Sequence, residues 1–171
     1  MISQYKKFAK RLSFLYIIIT MDKIITVNLE QMEALVEKMV TNIKPGQILG
    51  LVGDLGAGKT TFVQILAKKM GIDERVNSPT FNLQKLYKLP ESVNSVKQLL
   101  HVDAYRLKSV YELEDIGFFE MLADNETIAV VEWADQLPEL ENNNNNYLTI
   151  EFIGINNPNE REIKISENLL K

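Results

Sequence analysis

Residues 53–62 read GDLGAGKTTF, and this run limits the possible folds more than any other part of the chain. Gly53-Asp54-Leu55-Gly56-Ala57-Gly58-Lys59-Thr60 fits the pattern G-x-x-x-x-G-K-[ST] at every position. Glycines at 53, 56 and 58 admit backbone angles that other residues resist, so successive N–H groups can turn inward around an anion. A helix beginning at Lys59 aims the positive end of its dipole at the same point. The loop therefore reads as a phosphate cradle. Lys59 reaches the β- and γ-phosphates of a nucleotide, the Thr60 hydroxyl is placed to ligate a magnesium ion, and Thr61 contacts the α-phosphate. Ordinary composition yields the bare pattern in on the order of one chain in a hundred. Its setting here, between an apolar strand and a helix, makes the reading specific. Gly56-Ala57-Gly58 lacks the third glycine of a dinucleotide fingerprint, and no N-K-x-D guanine-reading motif occurs, so ATP is the expected nucleotide.

The elements around the loop follow from apolar periodicity. IITV (Ile24–Val27) is short, apolar and β-branched, as a buried strand would be. Leu29, Met32, Leu35, Val36, Met39 and Val40 recur at three- and four-residue spacings, one face of an amphipathic helix. Asn28 caps it, with Gln31 at the capping-box position. Lys44-Pro45-Gly46 closes that unit. QILGLVG (47–53) then reads as a strand buried on both faces, and a helix runs from about Lys59 to Met70, where Gly71 ends it. Further strands are expected at Phe81–Leu89, Gln98–Asp103, Thr127–Glu132, Tyr147–Ile155 and Glu160–Ile165. The turn Asn156-Asn157-Pro158-Asn159 makes the last two an antiparallel pair. Residues 105–122 carry helical periodicity, Asn142–Asn146 is a low-complexity loop, and Leu89–Val96 reads as a flexible connector. These elements predict an α/β, P-loop NTPase-like three-layer fold, with a mostly parallel central sheet and antiparallel C-terminal edge strands.

Composition narrows the setting. With 171 residues, 46% of them hydrophobic and 25% charged, the chain suits one globular domain with a sizeable core. It has no cysteine, so disulfides and thiolate metal sites are excluded and a reducing cytoplasm is the default compartment. Lys6, Lys7, Lys10 and Arg11 stand in the first twenty residues without an acid. Residues 21–171 therefore hold 15 positive and 23 negative charges, a net of −8. An acidic body is a poor nucleic-acid binder by itself, so no DNA partner is expected. The basic start is followed by the apolar run Leu12–Ile19, which resembles the front of a signal peptide but is far shorter than the ~20 apolar residues of a membrane span. Thr20-Met21-Asp22-Lys23 offers no small-residue cleavage site. Residues 1–20 are expected to be an extension outside the fold, with 21–171 a single domain; a short membrane-surface anchor is the alternative.

A phosphate loop needs an acid for its metal at the end of a neighbouring strand. LLHVD ends in Asp103 and IAVVE in Glu132, and both acids are expected at the C-terminal edge of a parallel sheet, where ligands bind. Spacing does not choose between them. Ser78-Pro79-Thr80-Phe81 occupies the stretch where GTPase-like proteins keep a γ-phosphate switch, and Thr80 or Ser78 could serve as one. An ordinary turn into a strand is the plainer reading. His101, the only histidine, shares a strand face with Asp103, and such a residue more often packs or hydrogen-bonds than catalyses. Arg106 could pair a phosphate or a carboxylate. Trp133 could stack near the nucleotide or fill the core.

Taken together, GDLGAGKTTF, SPTF, HVDAYRL and VVEW, in this order and at these separations, resemble the TsaE family of bacterial ATPases. The resemblance runs from Met21 to about Ile165 and leaves out the N-terminal extension and the asparagine run. It implies a P-loop ATPase needed to make threonylcarbamoyladenosine, the modified base beside the anticodon of tRNAs that read codons beginning with A. In that family the TsaB–TsaD pair transfers the threonylcarbamoyl group, and the TsaE protein binds the pair and resets it by hydrolysing ATP. Carried over, the loop Gly53, Asp54, Leu55, Gly56, Ala57, Gly58, Lys59, Thr60 and Thr61, with Thr80 and Trp133, would bind ATP. Thr60 and Glu132 would be the Mg2+ ligands. Asp103 would orient the attacking water or couple the nucleotide to the partners, so Lys59, Asp103 and Glu132 are the implied catalytic residues, and tRNA would be met only indirectly. A small-molecule kinase, or a nucleotide sensor without turnover, would use the same loop.

Overall fold

Ile48–Gly53 is the strand around which the sheet is assembled. Its first four residues are fully buried, as a central strand covered on both faces requires. The computed structural model describes residues 22–142, 146–154, 157–166 and 169–170; the extension at 1–20 lies outside them. Among the described residues, seven strands form one sheet: β1 (Asp22–Asn28), β2 (Ile48–Gly53), β3 (Gln84–Val93), β4 (Val96–Asp103), β5 (Thr127–Glu132), β6 (Tyr147–Ile153) and β7 (Glu160–Ser166). Their spatial order is β1-β7-β6-β2-β5-β4-β3. The four middle strands, β6, β2, β5 and β4, run parallel. β7 pairs antiparallel with β6, β1 with β7, and β3 with β4.

Helices cover both faces. α1 (Leu29–Val40) begins with the predicted capping box: Asn28 Oδ1 accepts from the Gln31 amide at 2.9 Å, and Gln31 Oε1 accepts from the Asn28 amide at 3.0 Å. Its buried stripe of Met32, Val36, Met39 and Val40 packs with Phe62, Val63 and Leu66 of α2 (Lys59–Lys69). Leu49, Leu51, Leu99, Ile128 and Val130 rise from the sheet into that layer. Their neighbours Ile48, Leu100, Val102, Ala129 and Val131 point the other way, as strand alternation requires. There they meet Leu113 of α3 (Val110–Asp115), Phe118 and Leu122 of α4 (Phe118–Leu122), and Leu140 of α5 (Glu139–Asn142). The three layers and the parallel centre agree with the sequence-based expectation.

Four details differ. β1 is an edge strand with Ile24 56% exposed, not a buried one; its β-branched residues pair with β7, which is thereby moved inward from the edge. The strand expected from Phe81 starts only at Gln84, because Asn82 closes a turn onto the Pro79 carbonyl and Leu83 adopts φ 63°. The expected connector at 89–96 is mostly strand. β3 continues to Val93, and Asn94 and Ser95, at φ 50° and 71°, turn the chain tightly into β4. Pro90 lies within this stretch, and an edge strand with an irregular register accommodates it. The helical periodicity of 105–122 is divided into a 3₁₀ turn (Ala104–Arg106), α3 and α4, with Gly117 in the left-handed region between the two helices. Ile155, the expected end of the sixth strand, Asn156 of the last turn and residues 143–145 of the asparagine run lie outside the described residues.

β2 and β6 approach closely where β2 enters the glycine loop. Gly53 has φ 142°, and a Cβ there would meet the Phe152 carbonyl oxygen at 2.6 Å, whereas one at Gly56, φ 77°, would meet nothing within 4 Å. Gly53→Ala is therefore expected to lower unfolding free energy by about 2 kcal/mol or more, and Gly56→Ala by only about 1 kcal/mol, in urea denaturation. Equal losses would contradict this packing.

Candidate functional site

The glycine loop leaves the C-terminal end of β2 and enters α2 through Gly58, at φ 112° and ψ 10°. Lys59, the first helical residue, is 4% exposed. Its ammonium donates to the carbonyls of Gly53 at 2.6 Å and Asp54 at 2.8 Å, and lies 3.5 Å from the centroid of the Trp133 ring. Burial lowers its pKa from the ordinary lysine value, and the charges of Glu132, Asp135, Asp54 and Asp103 oppose that shift. It is thus a cation stripped of much of its water, a condition that favours a polyanionic ligand beside it.

β4 and β5 end level with each other, Asp103 opposite Glu132 in the parallel register. The two acids that spacing could not separate have different partners. Glu132 Oε2 accepts from the Thr60 hydroxyl at 2.7 Å and Oε1 is 2.8 Å from His101 Nε2. Asp103 Oδ2 accepts from the hydroxyls of Ser78 and, at 2.7 Å, Thr80, while Oδ1 accepts from the Tyr105 amide at 3.1 Å. The loop helix is therefore tied to Glu132, and the SPT segment to Asp103. The Ser78 and Thr80 hydroxyls lie 3.1 Å apart, so the segment closes over one carboxylate oxygen.

These groups line a cleft of about 540 Å³, bounded by Leu55, Gly56, Gly58, Lys59, Thr60, Thr61, Ser78, Thr80, Asp103, Tyr105, Glu132 and Trp133. Gly53, Asp54 and Ala57 stand behind it, with their carbonyls engaged by Lys59 and Arg161. Trp133 serves both readings. Its backbone takes the left-handed φ 59°, and the half-buried ring packs on the core layer that holds α3 and α4 while facing Lys59 and standing 5.1 Å from the Tyr105 ring. Arg106 is outside the cleft and exposed, with its guanidinium 4.9 Å from the Phe81 ring.

Sequence reasoning missed Tyr105 and Arg161. Tyr105 sits inside HVDAYRL and could have been found there. Arg161 had no motif to betray it. Its Nε donates to the Ala57 carbonyl at 2.8 Å across 104 residues, and Nη1 to the carbonyls of Pro158 and Glu160 at 2.8 and 2.7 Å. One planar cation thus clamps the β6–β7 turn to the glycine loop.

No group of three or more His, Cys, Asp or Glu placed to hold a metal occurs among the described residues. The Thr60 hydroxyl and Glu132 carboxylate are hard oxygen donors already within 2.7 Å of each other, a set that suits magnesium completed by waters and phosphates. No helix among the described residues is long and apolar enough to cross a membrane.

A glycine loop joining a central parallel strand to a helix, beside two acid-tipped strands, defines an α/β protein of the P-loop NTPase-like class. The sequence profile of the family described as "Threonylcarbamoyl adenosine biosynthesis protein TsaE" matches residues 26–163. A Bacillus subtilis (strain 168) protein named "tRNA threonylcarbamoyladenosine biosynthesis protein TsaE" is 42% identical over 118 residues, 67% of this chain and 70% of that one. A Rickettsia prowazekii (strain Madrid E) protein of the same name is 40% identical over 100 residues, 58% and 65% of the two chains. The matched stretches span about two thirds of the length of these relatives. The crystal structure of Bacillus subtilis YdiB superimposes with a TM-score of 0.61 at 29% identity, covering 86% of both chains. This chain belongs to the TsaE family.

The clamp at Arg161 yields a stability prediction. Arg161→Ala removes three hydrogen bonds to carbonyls and is expected to lower unfolding free energy by about 2 kcal/mol. Arg161→Lys should recover less than half, because an ammonium cannot reproduce the planar fork. Urea denaturation of the three proteins measures both differences, and full recovery by lysine would contradict the geometry.

Proposed function

We propose that this protein binds ATP with magnesium in the cleft and hydrolyses it in support of threonylcarbamoyl transfer to tRNA by a TsaB–TsaD pair. The observation that carries the reading is the convergence of Lys59, Thr60 and Glu132 on one cleft in a chain of the TsaE family. In this reading the loop amides and Lys59 hold the phosphates. Thr60 and Glu132 would hold magnesium, which when bound would offset the negative charge of the phosphates. Tyr105 and Trp133 form an aromatic wall at the cleft. A water attacks the γ-phosphorus, the bond to the bridging oxygen breaks, and ADP and phosphate leave.

Asp103 is the group that would orient this water. It lies opposite Glu132 but is bound to Ser78 and Thr80 instead of to the loop helix. Ser78, Thr80 and the Tyr105 amide already take three of the about four acceptor sites of its carboxylate, which leaves little capacity for a water in the isolated chain. Turnover is then slow until a partner rearranges the SPT segment, which makes the reaction depend on the TsaB–TsaD pair. The acidic charge of residues 21–171 agrees with an action through proteins, with tRNA met indirectly.

Phosphate release from ATP and magnesium, measured for the full chain alone and with purified TsaB–TsaD, tests this function. Stimulation by the pair, lost in Lys59→Ala, is expected. Asp103→Ala should keep ATP affinity and lower stimulated turnover about a hundredfold. A rate unchanged by the pair, with ATP still bound, would remove the partner assignment; unchanged turnover in Asp103→Ala would remove the water-orienting role.

A further inference from the structure

His101 is a buried ionisable side chain beside the cleft that the proposed reaction leaves without a task. It is fully buried on β4, on the sheet face that also carries Leu99 and Asp103. Glu132 projects from the neighbouring strand on that same face, which it shares with Ile128 and Val130, the residues that pack with α1 and α2. The imidazole reaches diagonally across the β4–β5 pair to Glu132 Oε1 at 2.8 Å. A carboxylate oxygen accepts, so the partner assigns the ring proton to Nε2. Nδ1 is buried and has no hydrogen-bond partner.

That arrangement is a poor one for packing alone. A leucine would fill the space without burying an unpartnered nitrogen, whose desolvation opposes folding. What the histidine adds is a single directed hydrogen bond, and it falls on the carboxylate oxygen that Thr60 does not use. Glu132 would otherwise be free to rotate its carboxylate about its last bond. With Oε1 held from below by His101, Oε2 stays aimed at Thr60 and the cleft.

We propose that His101 is a positioning residue that acts through Glu132, holding its carboxylate in the one orientation that presents Oε2 to the cation beside Thr60. The inference rests on the reading of Thr60 and Glu132 as the magnesium-holding pair. It assigns no proton transfer to the imidazole, which touches neither the cleft nor the reacting atoms. Its effect is on the magnesium requirement for nucleotide binding, and outer partners of ligating carboxylates commonly change metal affinity 10- to 100-fold.

The test is a magnesium titration of fluorescent N-methylanthraniloyl-ATP binding by the full chain, comparing wild type with His101→Leu, His101→Gln and His101→Asn. His101→Leu keeps the volume and loses the donor; its magnesium midpoint should rise about tenfold, while its thermal midpoint does not fall. His101→Gln places an N–H near the position of Nε2 and should restore the midpoint to within about threefold of wild type. His101→Asn is too short to reach Oε1 and should behave like leucine. A folded His101→Leu with the wild-type magnesium midpoint overturns the proposal. If leucine does not fold, the glutamine and asparagine variants decide it: a difference in midpoint between them supports it, and equal midpoints overturn it. Wild-type binding that ignores magnesium would instead overturn the underlying assignment of Thr60 and Glu132, and this inference with it, an outcome visible before any variant is compared.

Discussion

The site depends on the 2.7 Å hydrogen bond from the Thr60 hydroxyl to Glu132 Oε2, which joins residues 72 apart in the chain. It ties the first turn of α2 to the tip of β5, and both ends are supported by the sheet. β2, which feeds the glycine loop, pairs parallel with β5 and places Leu51 beside Glu132. β4 pairs parallel with β5 on its other side and places Asp103 beside Glu132. A shift of one residue in either register would turn an acid from the α2 face to the opposite one. The uninterrupted burial of Thr127–Glu132 and of Ile48–Leu51 makes such a shift expensive, so the core holds the two acids in place.

Around that bond the side chains sort into two sets. Lys59, Thr60 and Glu132 belong to the loop and the central strands, which the core holds rigidly. Asp103 stands at the tip of β4, and Ser78, Thr80 and Tyr105, which bind its carboxylate, belong to the turns and the 3₁₀ helix beside it. Arg161 braces the first set from behind by fastening the Ala57 carbonyl to the β6–β7 turn. In the proposed function the first set binds and the second set responds to partners. In that proposal, a loop anchored in the core beside a segment held by a few hydroxyl–carboxylate bonds would make hydrolysis wait for a second protein.

The parts that could be read from the sequence are those set by local rules. The capping box at Asn28 and Gln31, the stripe from Met32 to Val40 (though not its expected first member Leu29, which is 58% exposed), the buried first four residues of β2 and the glycine loop all follow from spacing and residue type. Each of these appears where it was expected. What could not be read depends on neighbours in space. IITV has the composition of a buried strand, but whether it lies in the centre or at the edge is decided by β7 pairing on one side only. Pro90 and Asn94 resemble a linker until the edge position of β3 makes them tolerable. Gly117 divides a helical pattern that periodicity alone carries straight through. In the site, spacing brought Asp103 and Glu132 forward as equals; the family resemblance implied Glu132 with Thr60, and β5, which lies next to β2 where β4 does not, brings Glu132 to the Thr60 hydroxyl. Arg161 was invisible because its partners are backbone carbonyls, which no side-chain pattern encodes.

The central claim is that Thr60 and Glu132 form one cation-dependent site with the glycine loop. Isothermal titration calorimetry of ATP into the full chain, with magnesium and with chelator, for wild type and Glu132→Ala, tests it most directly. The account predicts that chelation weakens wild-type binding at least about tenfold and leaves binding by Glu132→Ala nearly unchanged. The same magnesium dependence in both proteins would contradict it.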